Sequence, residues 1–124
     1  MVAVIDWELS TLGEPLADFF HHLMMYRFPP HLMGILGHDL RALNIPTEEE
    51  YLASYCRRTG RAEGVPHANF YMAFSIFRLA AIAHGIRGRV VRGTASSQHA
   101  QQTSMLVEQL AEAAWAQVTT ARPD

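Results

Sequence analysis

Asp6 closes a short apolar run, Val2-Ala3-Val4-Ile5. A carboxylate at the end of a buried strand is costly unless something pairs with it. Mg2+ is one such partner, because it takes oxygen ligands together with substrate phosphates. An aspartate that caps the following turn is the other reading of the same residue. Glu8 stands two residues on and shares a face with Asp6 if the strand continues. Paired carboxylates hold metals or move protons, whereas a solvated glutamate does neither. Asp18 lies beside Phe19 and Phe20 in an otherwise apolar segment. It is either a first-turn acid favoured by the helix dipole or a buried acceptor that ties down a neighbouring loop.

Other chemistry-bearing residues are more scattered. The chain has seven histidines. His21 and His22 are adjacent and diverge by about 100° on a helix, and the remaining five show no helical pairing, so a histidine metal site is not expected. Cys56, the only cysteine, is followed by Arg57 and Arg58. These could favour its thiolate, but no histidine base is placed beside it. Arg87, Arg89 and Arg92 cluster near a helix end. They either complement the negative end of the dipole or form a phosphate or carboxylate site. Gly85, Gly88 and Gly93 match no phosphate-cradling motif.

The elements that must position these residues are mostly helices. Val2–Ile5 is β-branched and short, which favours a strand; no second convincing strand follows. Pro15 suits a first helical turn. Leu16, Phe19, Phe20, Leu23 and Met24 then recur at helical spacing to about Arg27, before Pro29 and Pro30. Residues 31–46 read as loop with a short helical turn. Thr47 with Glu50 forms a capping box for a helix to about Thr59, ended by Gly60. A turn at Glu63–Pro66 leads to a long helix from about His67 to Val91. Its apolar residues point nearly all round, so it is expected to be central and buried. With Ser96 or Ser97 as cap, a last helix runs from about Gln98 to Thr119. It is expected to bury Met105, Leu106, Leu110 and Ala113 or Ala114.

Composition narrows the function classes. The chain has 124 residues, 49% hydrophobic and 18% charged, which argues for a packed core. Net charge is −2, with twelve acids against ten bases, and offers no electrostatic case for nucleic acid. All ten bases are arginine, so no lysine serves a phosphate loop or a Schiff base. No apolar run is long enough to span a membrane, and no signal peptide is visible. A cytoplasmic setting is expected, since a lone cysteine fits a reducing compartment.

Val4-Ile5-Asp6-Trp7-Glu8, followed by Gly13-Glu14-Pro15-Leu16-Ala17-Asp18-Phe19, resembles the aminoglycoside phosphotransferase-like family of small-molecule kinases. The stretch from Phe70 to Ile82, with Gly85-Ile86 and Gly93-Thr94-Ala95-Ser96-Ser97, is similar to the branch fused in some proteins to acyl-CoA dehydrogenase domains. The resemblance covers nearly the whole chain. It implies a mainly α fold: the helical C-lobe portion of a protein-kinase-like fold, with one short N-terminal strand. It implies that Asp6 holds Mg2+ on the nucleotide phosphates, like the kinase DFG aspartate. It also implies that Asp18 anchors the backbone of the catalytic loop, and it assigns Glu8 no firm role. The family's glycine-rich loop, ATP lysine and His-Gly-Asp catalytic loop are not among these residues.

Residues 1–124 are therefore expected to be the C-terminal helical part of a phosphotransferase domain, without the N-lobe and catalytic loop. The parent would use ATP and Mg2+ to phosphorylate a hydroxyl of a small molecule, with a lean towards hydroxyacyl acceptors. This chain alone is expected to be inactive and to bind no cofactor of its own. Apolar surface left uncovered would make it a homo-oligomer or draw a partner chain. The alternatives are a stand-alone helical binding or assembly module without catalysis, and one half of a split kinase.

Overall fold

The computed structural model describes residues 12–120, together with Ala3 and Ser10. The Val2–Ile5 strand, Asp6 and Glu8 fall outside the described residues. Among those that are described, every regular element is helical.

Helix α1, Pro15–Leu23, begins where Glu14 accepts a hydrogen bond from the Leu16 N–H and Pro15 occupies the first turn. It buries Leu16, Phe19, Phe20 and Leu23, the stripe its spacing predicts. A 3₁₀ turn, Met24–Arg27, extends it to the expected end. A second 3₁₀ turn, Pro30–Leu32, is the short helical turn of the loop that follows. That loop folds back on itself: the Ile35 N–H donates to the Met25 carbonyl at 2.8 Å and the Leu36 N–H to the Phe28 carbonyl at 2.9 Å.

Helix α2, Glu48–Thr59, carries the full capping box. The Glu50 N–H donates to the Thr47 hydroxyl at 3.2 Å, and the Thr47 N–H donates to the Glu50 carboxylate at 2.8 Å. Gly60 ends the helix in the left-handed region at φ 72°. No residue of α2 is buried outright. Its hold on the rest is an aromatic ladder: Phe19 stacks on Tyr55 at 3.9 Å and on Tyr51 at 5.3 Å between centroids. Arg27 adds an ion pair to Glu48 at 2.8 Å.

Helix α3, Ala68–Val91, starts and ends as the sequence predicts and is the element on which α1, α4 and α5 pack. Met72, Ile76, Ala80 and Ala83 lie in the core with Phe20, Leu23, Met24 and Leu110. The expectation that α3 is buried all round is corrected. Phe70 and Phe77 are each 63% exposed, and Phe74 and Ile82 are also exposed. The described elements cover only one side of this helix, and its second apolar stripe is exposed among the described residues.

The expected final helix is two: α4, Ala100–Ser104, and α5, Val107–Thr120. The expected serine cap is corrected: His99 is the N-cap of α4, with no side-chain capping bond, and the Ser97 hydroxyl accepts from the His99 N–H at 3.2 Å in the turn before it. At the break, the Met105 and Leu106 N–H groups donate three residues back rather than four. That tightening turns Met105 outward to 64% exposure, against the expectation of burial, while Leu110 and Ala114 are buried as expected.

Candidate functional site

Asp18 is the sequence-predicted site residue that the structure places. It stands in the first turn of α1, where a carboxylate suits the positive helix end. Its side chain is 88% exposed, with the Arg78 guanidinium of α3 at 3.9 Å. Beneath it, Ser75 is fully buried and its hydroxyl donates to the Ala17 carbonyl at 3.5 Å, at the outer limit of a hydrogen bond. One turn along α1, His21 is half-buried and its Nδ1 has no hydrogen-bond partner. Burial above all, and then the Arg78 cation, hold the His21 pKa below its ordinary value, while Asp18 pulls the other way.

Asp18, His21 and Arg78 thus form a polar patch on the α1–α3 seam. Sequence reasoning found only Asp18. Arg78 was inconspicuous inside a long apolar helix, and His21 was one of seven histidines. Their nearness depends on how two helices cross, which no local pattern encodes.

The other candidates do not assemble into sites. Arg87 is ion-paired with Glu108 of α5, and its other terminal nitrogen lies 3.4 Å from His84 Nδ1. Arg92 folds back on its own helix, with its guanidinium over Gly88. Arg87 is thus engaged across α3 and α5, while Arg89 and Arg92 are exposed. Cys56 is half-buried and lines an open hollow of about 620 Å3 with Arg57 and Arg61, and no histidine lines it. Among the described residues, no three of histidine, cysteine, aspartate and glutamate converge on a metal position. No described helix is long and apolar enough to cross a membrane.

One apolar feature stands apart. Phe70, Phe74, Phe77, Trp115 and Val118 surround a groove of about 360 Å3 between α3 and α5, floored by alanines. Trp115 is 68% and Val118 54% exposed.

No protein-family model matches the chain. A crystal structure from Ralstonia eutropha JMP134, described provisionally as an aminoglycoside phosphotransferase, superposes with a TM-score of 0.87 and 46% identity. The match covers 98% of this chain and 37% of that one. The fold is therefore a helical portion of the kinase-like fold of aminoglycoside phosphotransferases.

The chain is also similar to acyl-CoA dehydrogenase family members. Mouse acyl-CoA dehydrogenase family member 10 is 48% identical over 118 residues, which are 93% of this chain and 11% of that protein. Rat family member 11 is 42% identical over 114 residues, 90% of this chain and 15% of that protein. Human family member 11 is 38% identical over the same length. The chain thus spans 11–15% of the curated relatives it matches.

Proposed function

We propose that these 124 residues are the C-terminal helical part of a phosphotransferase domain that moves the γ-phosphate of ATP to a hydroxyl of a small molecule. The observation that supports this most is the match of nearly the whole chain, at 46% identity, to a phosphotransferase of which it covers 37%. In this reading Asp6 with its Val4-Ile5-Asp6-Trp7-Glu8 setting is the Mg2+ ligand, and Asp18 supports the catalytic loop of the parent domain. The Asp6 carboxylate and the nucleotide phosphates are oxygen donors, which suits Mg2+. The ion would neutralise charge on the phosphates being transferred. Asp18 has the exposure and the first-turn position that a docking loop needs, and Arg78 beside it offers that loop a cation. Names in the acyl-CoA dehydrogenase family make hydroxyacyl compounds the first acceptor class to test. A cytoplasmic setting accords with ATP as phosphate donor.

Phosphoryl transfer needs several parts held together, so the 124-residue chain by itself is inactive in this reading. The deciding experiment follows the protein at its native length. An antibody to this segment is expected to reveal a band near 40 kDa, about three times the 13.9 kDa of the chain. The protein so isolated is expected to transfer labelled phosphate from ATP to a hydroxylated acceptor. Asp6→Asn is expected to lower that rate by about 100-fold or more. A native band at 13.9 kDa with no response to Mg2+-nucleotide would overturn the reading. It would favour the second one, a stand-alone helical binding module, which the self-contained core around Met24 and Ile76 supports. Co-purification of a second chain bearing a glycine-rich loop would instead indicate a split kinase.

A further inference from the structure

We infer that His21 is a positioning residue of the parent phosphotransferase: beside Asp18, it is the second anchor for the backbone of the segment that docks on the α1–α3 seam. This rests on the phosphotransferase reading and extends it to a side chain which that reading leaves without a task. His21 follows Asp18 by three positions on α1, so the two side chains leave one face of the helix a turn apart. One hydrogen bond lets a docked loop pivot. Two anchors a turn apart fix its direction, and direction is what phosphoryl transfer asks of a catalytic loop.

The orphaned nitrogen carries the argument. The ring is half-buried, yet Nδ1 is shut off from solvent and has no hydrogen-bond partner. A buried acceptor left unmade is costly, and folded proteins hold few of them. Nearby donors are committed elsewhere: the Ser75 hydroxyl to the Ala17 carbonyl, and the Arg78 guanidinium to Asp18. The charged and titratable groups facing His21 are Arg78 from α3 and Asp18 and His22 from α1. Burial and Arg78 both disfavour a second proton on the ring, so at neutral pH it offers a lone pair. A half-turn about Cβ–Cγ, a broad torsion, exchanges Nδ1 with Cδ2 and brings that lone pair to the open side of the seam. A cationic donor would meet Arg78 there. A backbone N–H carries no charge, and every loop residue but proline has one. These residues cover 37% of the phosphotransferase they superpose on, so the parent domain has chain to supply it.

The test compares His21→Leu and His21→Asn in the native-length protein. Leucine fills the space without an acceptor. Asparagine sets a carbonyl where Nδ1 stands and does not titrate. If His21 only packed, leucine would be the better tolerated, because it removes an unmade buried acceptor. The expected result for the reaction is the reverse. His21→Leu lowers kcat about tenfold, the worth of one hydrogen bond, with the KM for ATP unchanged and the melting temperature no lower than the wild type's. His21→Asn recovers most of that loss. In the wild type kcat falls as His21 takes up its proton below about 6.5, and in His21→Asn that limb is gone. Full activity in His21→Leu, or equal impairment of both variants, overturns the proposal. A wild type that transfers no phosphate tells against the phosphotransferase reading instead. A crystal structure of the native-length protein then decides the anchor by itself: a backbone N–H within hydrogen-bond reach of His21 Nδ1 supports it, and an apolar or side-chain neighbour there overturns it.

Discussion

His21 shows what a single side chain contributes when it is taken partly out of water without a partner. Burial is the main reason its pKa lies below the ordinary 6.5, with Arg78 adding and Asp18 opposing. The unfolded chain therefore takes up this proton at a higher pH than the folded chain does. The stabilisation tied to a neutral His21 is complete above about 6.5 and is lost as pH falls towards the folded pKa. Glu50 and Glu108 shift in the opposite sense, lowered first by the Thr47 backbone hydrogen bond and by Arg87 respectively. Their contributions are lost only below about 4.5, so the two windows separate. The melting temperature should thus decline between about pH 7 and about pH 5, and His21→Asn should flatten that decline. An unchanged slope in His21→Asn would remove His21 from the account. Asp18 could be singled out in the sequence because an acid beside two phenylalanines in an apolar segment is conspicuous. Its Arg78 partner, 60 residues away, could not.

At the scale of elements, local signals did most of the work. The Thr47 capping box, the Pro15 start and the left-handed Gly60 end are each decided within four residues of chain. Helix α3 is where the periodic pattern misled. Apolar residues on all sides were read as burial on all sides, but two stripes can serve two different partners. Two glycines test how far local chemistry governs stability. Gly85 lies in the interior of α3 and an added Cβ there meets nothing within 4 Å. Gly85→Ala should raise stability by about 0.5–1 kcal/mol through reduced backbone entropy in the unfolded chain. A Cβ at Gly34 would lie 1.9 Å from the Phe28 carbonyl oxygen, in a loop closed by hydrogen bonds. Gly34→Ala should cost about 3 kcal/mol, since backbone must shift to admit it. Urea denaturation of both variants checks the pair; equal effects of one sign would contradict this account.

At the scale of the molecule, one core joins α1, α3 and α5, and α2 is held to it from outside. Met24 is fully buried at the junction, so Met24→Ala should lose about 2–5 kcal/mol to the cavity it leaves. Arg27, next to Tyr26, bridges Glu48 and Gln117 on two helices. Arg27 is exposed and its partners are only half-buried, so Arg27→Ala should cost less than about 1 kcal/mol. Chemical denaturation distinguishes a molecule held by its core from one held by surface ties. By itself the sequence determined the helical class, the bounds of α1 to α3 and the kinase-like resemblance. Those rest on capping, proline and glycine chemistry, and apolar spacing, all of which act within a few residues along the chain. Only the tertiary structure decided which stripe of α3 is covered, that Arg78 faces Asp18, that Arg87 is taken by Glu108, and that rings from α3 and α5 share one open groove. Those depend on helix crossings between residues up to tens of positions apart, where packing, and not local propensity, selects the neighbour.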